Sequence, residues 1–283
     1  VYTWESIYEG LPGYGKKFPF IAGAHDPTSF WENSTTFNNN VAIDGGSDNS
    51  SFRMSATKFD MKGIQPNSSL NRNSFNFNGS LKASNRLTVS TMAAFTQQKG
   101  RGRSGTGYDS RNVNQSFRQW YNVGTDVAKL KEYYFQRVDE GYVAGDRNIT
   151  WNPYGPLYSN PSQPHYFDNP YFMVHESYQS DERNRLIGNM TANYRLNDWL
   201  DLTARANIDT YSDLQEERLA VGSVDVPEYV RRDRNFTETN LDLILTANKM
   251  IGDDINFNGN LGTNVRRTSF DYIGAGTNGG LIV

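Results

Sequence analysis

The sequence lacks cysteine, long apolar runs and an excess of basic charge, and each absence excludes a class of protein. None of the 283 residues is cysteine, which excludes disulfides and thiolate metal sites. No segment approaches the roughly 18 apolar residues that a transmembrane helix needs, so helical membrane spans are excluded. The net charge is −3 and the pI about 5.7. These values give no basic field for nucleic acid, which we do not expect as a partner.

Histidine is scarce as well, and its placement gives no sign of an active site. None of the three histidines, His25, His165 and His175, is paired with another at ligand spacing, whereas metal catalysis needs a clustered set of ligands. A serine hydrolase needs a serine oriented by a histidine, and no predicted strand contains a histidine. We therefore expect no catalytic residues, no metal, no cofactor and no enzymatic activity.

The sequence does contain eight segments in which apolar and polar residues alternate. A period of two places successive side chains on opposite faces of a β-strand. In the third segment, Phe75 and Phe77 point to one face while Asn76 and Asn78 point to the other. The predicted strands are Phe37–Asp44, Phe52–Phe59, Ser74–Ala83, Leu87–Phe95, Leu186–Arg195, Leu200–Asp209, Asn240–Lys249 and Ile255–Arg266.

The connections between these strands alternate strictly between short and long. The short ones are Gly46–Asn49, Ser84–Arg86, Leu196–Asp198 and Ile251–Asp254. The long ones are residues 60–73, 96–185 and 210–239. Short turns at one end and long loops at the other are typical of outer-membrane barrels. The sequence therefore predicts an all-β fold, a transmembrane antiparallel β-barrel with long extracellular loops.

The two faces of the strands suit lipid on one side and a wet lumen on the other. The residues predicted to face lipid are Phe75, Phe77, Leu202, Leu243, Leu245 and Phe257. The residues predicted to face the lumen are Asn76, Asn78, Arg205, Asp242 and Asn258. Two alternatives stay open. One is a soluble all-β carbohydrate-binding or adhesin module, whose apolar faces pack on one another. The other is a passive porin.

About eight strands also leave open how the sheet ends. An open sheet has two unpaired edges, which lipid does not tolerate. We therefore expect residues 1–283 to be an internal segment of a longer barrel. The alternative is a closed eight-stranded barrel, in which side chains just fill the interior.

Several separate segments resemble one known family in order and spacing. They are Asn40–Ser47 with Ser51–Ser55, Asp60–Asn67, Asp168–Phe172, Arg185–Asn189, Ala204–Tyr211 and Thr277–Val283. Together they are similar to the mid-barrel region of the SusC/RagA-type TonB-dependent transporters of Bacteroidota outer membranes. The resemblance covers nearly the whole chain. It does not reach the family's plug domain, TonB box or final strand.

The resemblance implies both an architecture and a function. It implies a 22-stranded, multi-pass barrel in the outer membrane, of which these strands form about a third. It further implies import of a large nutrient, an oligosaccharide or a peptide, energised by TonB through the plug region. A SusD-like surface lipoprotein is expected to close over the outside face.

The long loop, residues 96–185, is the segment in which we expect contact with the lipoprotein or the substrate. Within it, the segment Asn112–Val123 carries Phe117, Trp120 and Tyr121, and the segment Thr125–Gly141 has apolar residues at helical spacing, namely Val127, Leu130, Tyr134 and Val138. We predict a helix over Thr125–Gly141, with Thr125 capping its start and Gly141 its end. Tryptophan and tyrosine are favoured at interface hot spots. The candidate contacts are Trp120, Tyr121, Tyr133, Trp151, Tyr154 and Tyr158. Alternatively, these aromatic residues form the loop's own core.

Overall fold

Eight antiparallel strands form one sheet in chain order in the computed structural model, which describes residues 1–109 and 111–282. Ser110, Val283 and the side chain of Trp120 lie outside the described part. The strands are β1 (Thr35–Ser47), β2 (Ser50–Lys62), β3 (Ser69–Lys82), β4 (Leu87–Arg101), β5 (Gln179–Asn197), β6 (Leu200–Leu219), β7 (Glu228–Ile251) and β8 (Ile255–Gly276). The predicted all-β antiparallel architecture is confirmed.

The strands extend beyond their predicted ends, mostly away from the short turns. As a result, two predicted long loops are wrong. The connection after β2 is only residues 63–68, and the one after β6 is only 220–227. The outer parts of β6 and β7 lack the alternation of apolar and polar residues that indicates a strand. Charged residues that pair across the two strands are found there instead. Arg232 lies 2.9 Å from Glu217, for example, across the two strands.

The register carries the two-faced pattern across all eight strands. One row of neighbours runs through Val41, Ala56, Phe75, Phe95 and Leu186. The adjacent row runs through Ala42, Ser55, Asn76, Ala94 and Ile187 and continues to Asp209 and Glu238. All six residues predicted to face lipid share the first face, and all five predicted to face the lumen share the second.

The apolar face carries no second layer within the described residues. Phe75 is 48% exposed and Leu243 is 47% exposed. A soluble sandwich would bury such residues against another sheet about 10 Å away, and the structure does not show this packing. The sheet is also open, since β1 and β8 do not pair with each other in the described part of the chain. The closed eight-stranded alternative is therefore wrong.

Three helices lie in residues 102–178, between β4 and β5. They are α1 (Val113–Trp120), α2 (Val127–Asp139) and α3 (Pro170–Glu176). The predicted start of α2 at Thr125 is wrong, because the Asp126 side chain caps this helix by accepting from the Ala128 N–H. Gly141 does follow the end of α2, with a positive φ of 76°. In the described chain no helix combines the length and apolarity needed to cross a bilayer.

Nearly all buried apolar side chains lie outside the sheet, in a unit that we call the cap. The cap consists of residues 1–34 and 102–178 and lies at the end of the sheet where the longer connections are. Its core also takes in Ala220 from the β6–β7 turn. The main core residues are Trp4, Tyr8, Leu11, Phe30, Val113, Val127, Leu130, Tyr133, Tyr134, Ile149, Trp151, Phe167, Tyr171, Phe172, Met173 and Val174.

Candidate functional site

The N-terminal segment, residues 1–34, is docked on the long loop by backbone hydrogen bonds. The Gly23 N–H donates to the Val123 carbonyl at 2.9 Å, and the His25 carbonyl accepts from the Val127 N–H at 2.9 Å. A Cβ at position 23 would lie 2.4 Å from the Thr125 carbonyl oxygen, so only glycine fits this approach. The sequence analysis assigned no structure to this segment, because its partners are about a hundred residues away.

Side chains of the same segment reach into the core of the cap. The buried carboxylate of Glu5 accepts from Lys129 Nζ at 2.8 Å and from the Tyr133 hydroxyl at 3.0 Å. The Tyr8 hydroxyl donates to the Thr150 carbonyl at 3.0 Å and accepts from the Thr150 N–H at 2.9 Å. Burial raises the pKa of Tyr8 well above its ordinary value. These phenols are structural donors and are protonated at neutral pH.

A buried polar network ties the cap to the turn between β6 and β7. Asp168 accepts from Asn148 Nδ2 at 2.8 Å, from the Ser223 hydroxyl at 2.5 Å and from the Val224 N–H at 2.8 Å. Burial raises the pKa of Asp168, although these three donors lower it in part. Asn169 donates to the carbonyls of Leu130 and Ile149 and caps α3. The network fixes the cap on the strands.

Close backbone contact reinforces this attachment. Gly222, with a φ of 90°, packs on Gly145, and a Cβ at position 222 would lie 2.3 Å from the Gly145 Cα. On the other side, Asn67 Nδ2 donates to the Val174 carbonyl at 2.8 Å and Gln65 Nε2 to the Gly102 carbonyl at 3.2 Å. The cap is thus held by both outer connections of the sheet, residues 63–68 and 220–227.

The structure separates the six predicted contact residues into different environments. Tyr133 and Trp151 were predicted to contact a partner, but both are buried in the core of the cap. Trp151 also borders the cleft described below. Tyr121 is half-buried and donates to the Thr125 carbonyl at 2.8 Å. The side chain of Trp120 is outside the described residues. Of the five whose side chains are described, Tyr154 and Tyr158 present exposed rings.

The two exposed tyrosines belong to an aromatic cluster at the surface of the cap. Tyr154 lies 5.0 Å from Tyr158 and 4.3 Å from His165 between ring centroids. His165 stacks in turn on Tyr166 at 3.8 Å. Such a cluster of large, rigid rings offers contact area at low entropic cost. We call it the tyrosine cluster.

A cleft of about 950 Å³ opens between the N-terminal segment and the strip Asn152–Pro161. Aromatic and proline residues form about half of its walls, and amide and hydroxyl side chains supply its polar groups. The lining residues include Trp4, Tyr14, Phe20, Asn122, Thr125, Trp151, Asn152 and Pro156. The sequence analysis identified Trp151 but not the cleft, since half of its wall comes from residues 1–34.

The polar face of the sheet carries a continuous series of paired charges and amides. Arg185 donates to both carboxylate oxygens of Asp209, at 2.9 and 2.6 Å. The buried carboxylate of Asp213 lies between Arg183 at 3.0 Å and Arg234 at 3.5 Å. Nearer the short turns, Asn76 Nδ2 lies 3.5 Å from the Ser55 hydroxyl, and Asp242 accepts from Asn264 Nδ2 at 2.6 Å. This face is highly polar but nearly neutral.

Aromatic rings on the upper part of the polar face went unpredicted. Tyr211 stacks on Phe236 with centroids 5.1 Å apart, and the Arg183 guanidinium lies 5.2 Å from the Tyr211 centroid. The sequence analysis assigned these residues to the loop 210–239. Tyr211 shares the polar face with Asp209 and Asp213. Its position therefore does not produce the apolar alternation by which a strand is predicted.

The open, two-faced antiparallel sheet has two-residue to four-residue turns at one end and the cap at the other, and solved structures share this fold. The RagAB peptide importer in its closed-closed state has this fold, with a TM-score of 0.69 and 18% identity over 98% of the present chain. The open-open state gives a TM-score of 0.69 and 18% identity over 96%.

The similarity concerns only part of the larger protein. The present chain covers 29% of the RagAB chain in both states. No protein-family model matches the sequence. No curated protein matches it significantly. At this level of identity the comparison establishes the fold alone.

Proposed function

We propose that the chain is a segment of a SusC/RagA-type TonB-dependent transporter that imports an oligosaccharide or a peptide across the bacterial outer membrane. The observation that carries the proposal is the separation of an apolar face and a polar face through all eight strands. The shared fold with the RagAB peptide importer supports it.

The proposal assigns the apolar face to lipid and the polar face to the lumen. Exposed apolar residues such as Phe75 and Leu243 are favourable in a hydrocarbon environment and costly in water. Aromatic residues near the short turns, among them Phe52, Tyr194 and Phe257, fit an interfacial girdle. The unpaired backbone groups of β1 and β8 would then be satisfied by further strands of the same barrel.

The cap belongs on the outside in this proposal, because it lies opposite the short turns, which are periplasmic in outer-membrane barrels. A SusD-like lipoprotein would meet it there. The tyrosine cluster is the best candidate contact, since Tyr154 and Tyr158 are the two predicted residues whose rings are exposed. TonB would act through the plug domain that the resemblance to the family implies.

The experiment uses the full-length transporter expressed in its host. We expect recovery in the outer-membrane fraction and uptake of labelled oligosaccharide or peptide that stops when TonB is deleted. Recovery in the soluble fraction would contradict the proposal. Uptake that persists without TonB would instead indicate a passive porin.

A second arm tests the outside contact. Tyr154→Ala with Tyr158→Ala should weaken capture of the lipoprotein while the barrel remains inserted, and Tyr142→Ala, at an exposed tyrosine of the cap that is not part of the tyrosine cluster, is the matched control. Point substitutions are sharper than deleting residues 110–160, because that deletion removes α1, α2 and much of the core that holds residues 1–34.

A further inference from the structure

We propose that the cleft between residues 1–34 and Asn152–Pro161 binds an uncharged oligosaccharide. This inference rests on the proposed function and names the ligand class for one site of the cap. With about 950 Å³, the cleft has the size of a site for several sugar rings. Three segments that are distant in sequence form it, residues 1–21, 122–125 and 151–161, so its shape depends on the folded cap.

The first argument concerns charge. Of the whole sequence, 21% is Asp, Glu, Lys or Arg, yet none of the side chains that line the cleft in the described residues is acidic, basic or histidine. A ligand with a carboxylate, phosphate or ammonium group would lose solvation there without gaining a charged side chain as a partner. The cleft therefore favours a neutral ligand.

The second argument concerns flat apolar surfaces. Tyr14 is 52% exposed and Phe20 is 69% exposed at the edge of the cleft. Pyranose rings present flat C–H faces that stack on such rings, as other flat apolar groups do. Trp4 and Trp151 lie deeper, with their rings mostly buried, and provide a rigid floor.

The third argument concerns hydrogen bonding. Thr125 is 1% exposed and lines the cleft, and its hydroxyl has no hydrogen-bond partner among the described residues. A buried hydroxyl left without a partner costs free energy. The amides of Asn122 and Asn152 also line the cleft. Sugar hydroxyls both donate and accept, so they match a hydroxyl and two amides.

A peptide fits these walls less well. A free peptide brings charged termini, and most sequences bring charged side chains, for which the cleft has no partner. The cleft also offers no exposed strand edge with which an extended peptide could pair, the mode in which main-chain hydrogen bonds supply affinity. Peptide binding is therefore the outcome that would overturn the ligand class.

The test measures binding to the full-length transporter in detergent by isothermal titration calorimetry. The probes are neutral hexasaccharides with α-glucan, β-glucan, xylan and mannan backbones, and a decapeptide with capped termini and no charged side chain. We expect saturable binding of at least one hexasaccharide. Tyr14→Ala or Phe20→Ala should each weaken it about 2- to 10-fold. Thr125→Val keeps the shape, removes the hydroxyl and should weaken it about threefold or more.

Tyr108→Ala removes an equally exposed ring outside the cleft, 80% exposed, and should leave the affinity unchanged. The inference fails if no hexasaccharide binds, or if the cleft variants bind like the parent. It also fails if the decapeptide binds and the same variants weaken it. TonB-dependent uptake from the outer membrane is measured separately, so the proposed function stands or falls independently of this result.

Discussion

The sheet and the cap are stabilised in opposite ways. In the sheet, neighbouring strands are joined by regular hydrogen bonding and by side-chain pairs on the polar face, while the apolar face remains uncovered. In the cap, helices and irregular segments surround a continuous apolar core. Among the buried hydrophobic residues of the described chain, Leu219 alone belongs to a strand.

This difference shows what each region requires from its surroundings. The cap has an apolar core of its own, while rings such as Tyr14, Phe20 and Tyr158 stay exposed at its surface. The sheet leaves its apolar surface to the environment, so its stability depends on lipid if the proposed location is right. Substitutions in the two regions should therefore respond to different conditions, and the following predictions test that contrast.

The largest effect is expected in the core of the cap. Phe172 is fully buried among aromatic neighbours. Phe172→Ala should lower the free energy of unfolding of the cap by about 3–5 kcal/mol, because it leaves a cavity. Hydrogen exchange of cap peptides in increasing urea measures this. Leu157→Ala, at a highly exposed position, is the control and should change it by less than about 0.5 kcal/mol. Equal effects would show that the cap has no independent core.

A charge on the sheet should distinguish its two faces. Phe75 and Asn76 are neighbours in the middle of β3 and point to opposite faces. Phe75→Arg should cost about 2–4 kcal/mol of folding free energy in lipid bilayers. Asn76→Arg should cost much less, because the polar face is solvated. Refolding titrations into vesicles compare the two. A similar cost at both positions would contradict the assignment of Phe75 to lipid.

Replacing the N-cap residue of a helix should cost more stability where that residue is also buried. Asn169 caps α3 and satisfies the carbonyls of Leu130 and Ile149. Asn169→Ala should therefore cost about 2–3 kcal/mol. Asn112 caps α1 near the surface, and Asn112→Ala should cost about 1 kcal/mol or less. Urea titration of both variants gives the difference. If the two costs are equal, the buried network does not contribute to stability.

The smallest effect is the pH dependence of the cap. Burial lowers the pKa of His175, which stacks on Tyr134. The unfolded state therefore binds a proton more readily, and the cap should lose stability as the pH falls below about 6.5. His175→Phe keeps a ring and should flatten this slope. The pKa of Asp168 is raised in the folded cap, so protonation of Asp168 stabilises the cap as the pH falls. This effect is opposite to that of His175. Since both proteins contain Asp168, the difference between their slopes isolates His175.

Sequence reasoning located the sheet well where lipid and lumen impose an alternation on each strand. Phe75 with Asn76 and Leu243 with Asp242 are such positions, and their register agrees with the prediction. It failed for the outer parts of the long strands. There Glu217 and Arg232 pair across strands, and charged residues on both faces leave no periodic signal.

The cap was far less predictable, for a physical reason. Its core joins residues that lie far apart in the chain, as in the hydrogen bond between Tyr8 and Thr150. No local pattern reports such a contact. The apolar spacing predicted helix α2, but the predicted N-cap, Thr125, is one residue before the observed N-cap, Asp126. The interpretation that the aromatic residues form the loop's own core holds for Tyr133 and Trp151.

The lengths of the strands have a consequence for how molecules reach the cap. They rise from 13 residues in β1 to 24 in β7. At about 3.3 Å per residue and a tilt of about 40°, the difference amounts to roughly 30 Å of height. The rim of the sheet is therefore oblique, higher at β7 than at β1, where residues 1–34 of the cap lead into the strand. In the proposed location, a molecule that reached the cap from the side of β6 to β8 would meet the higher part of the rim first.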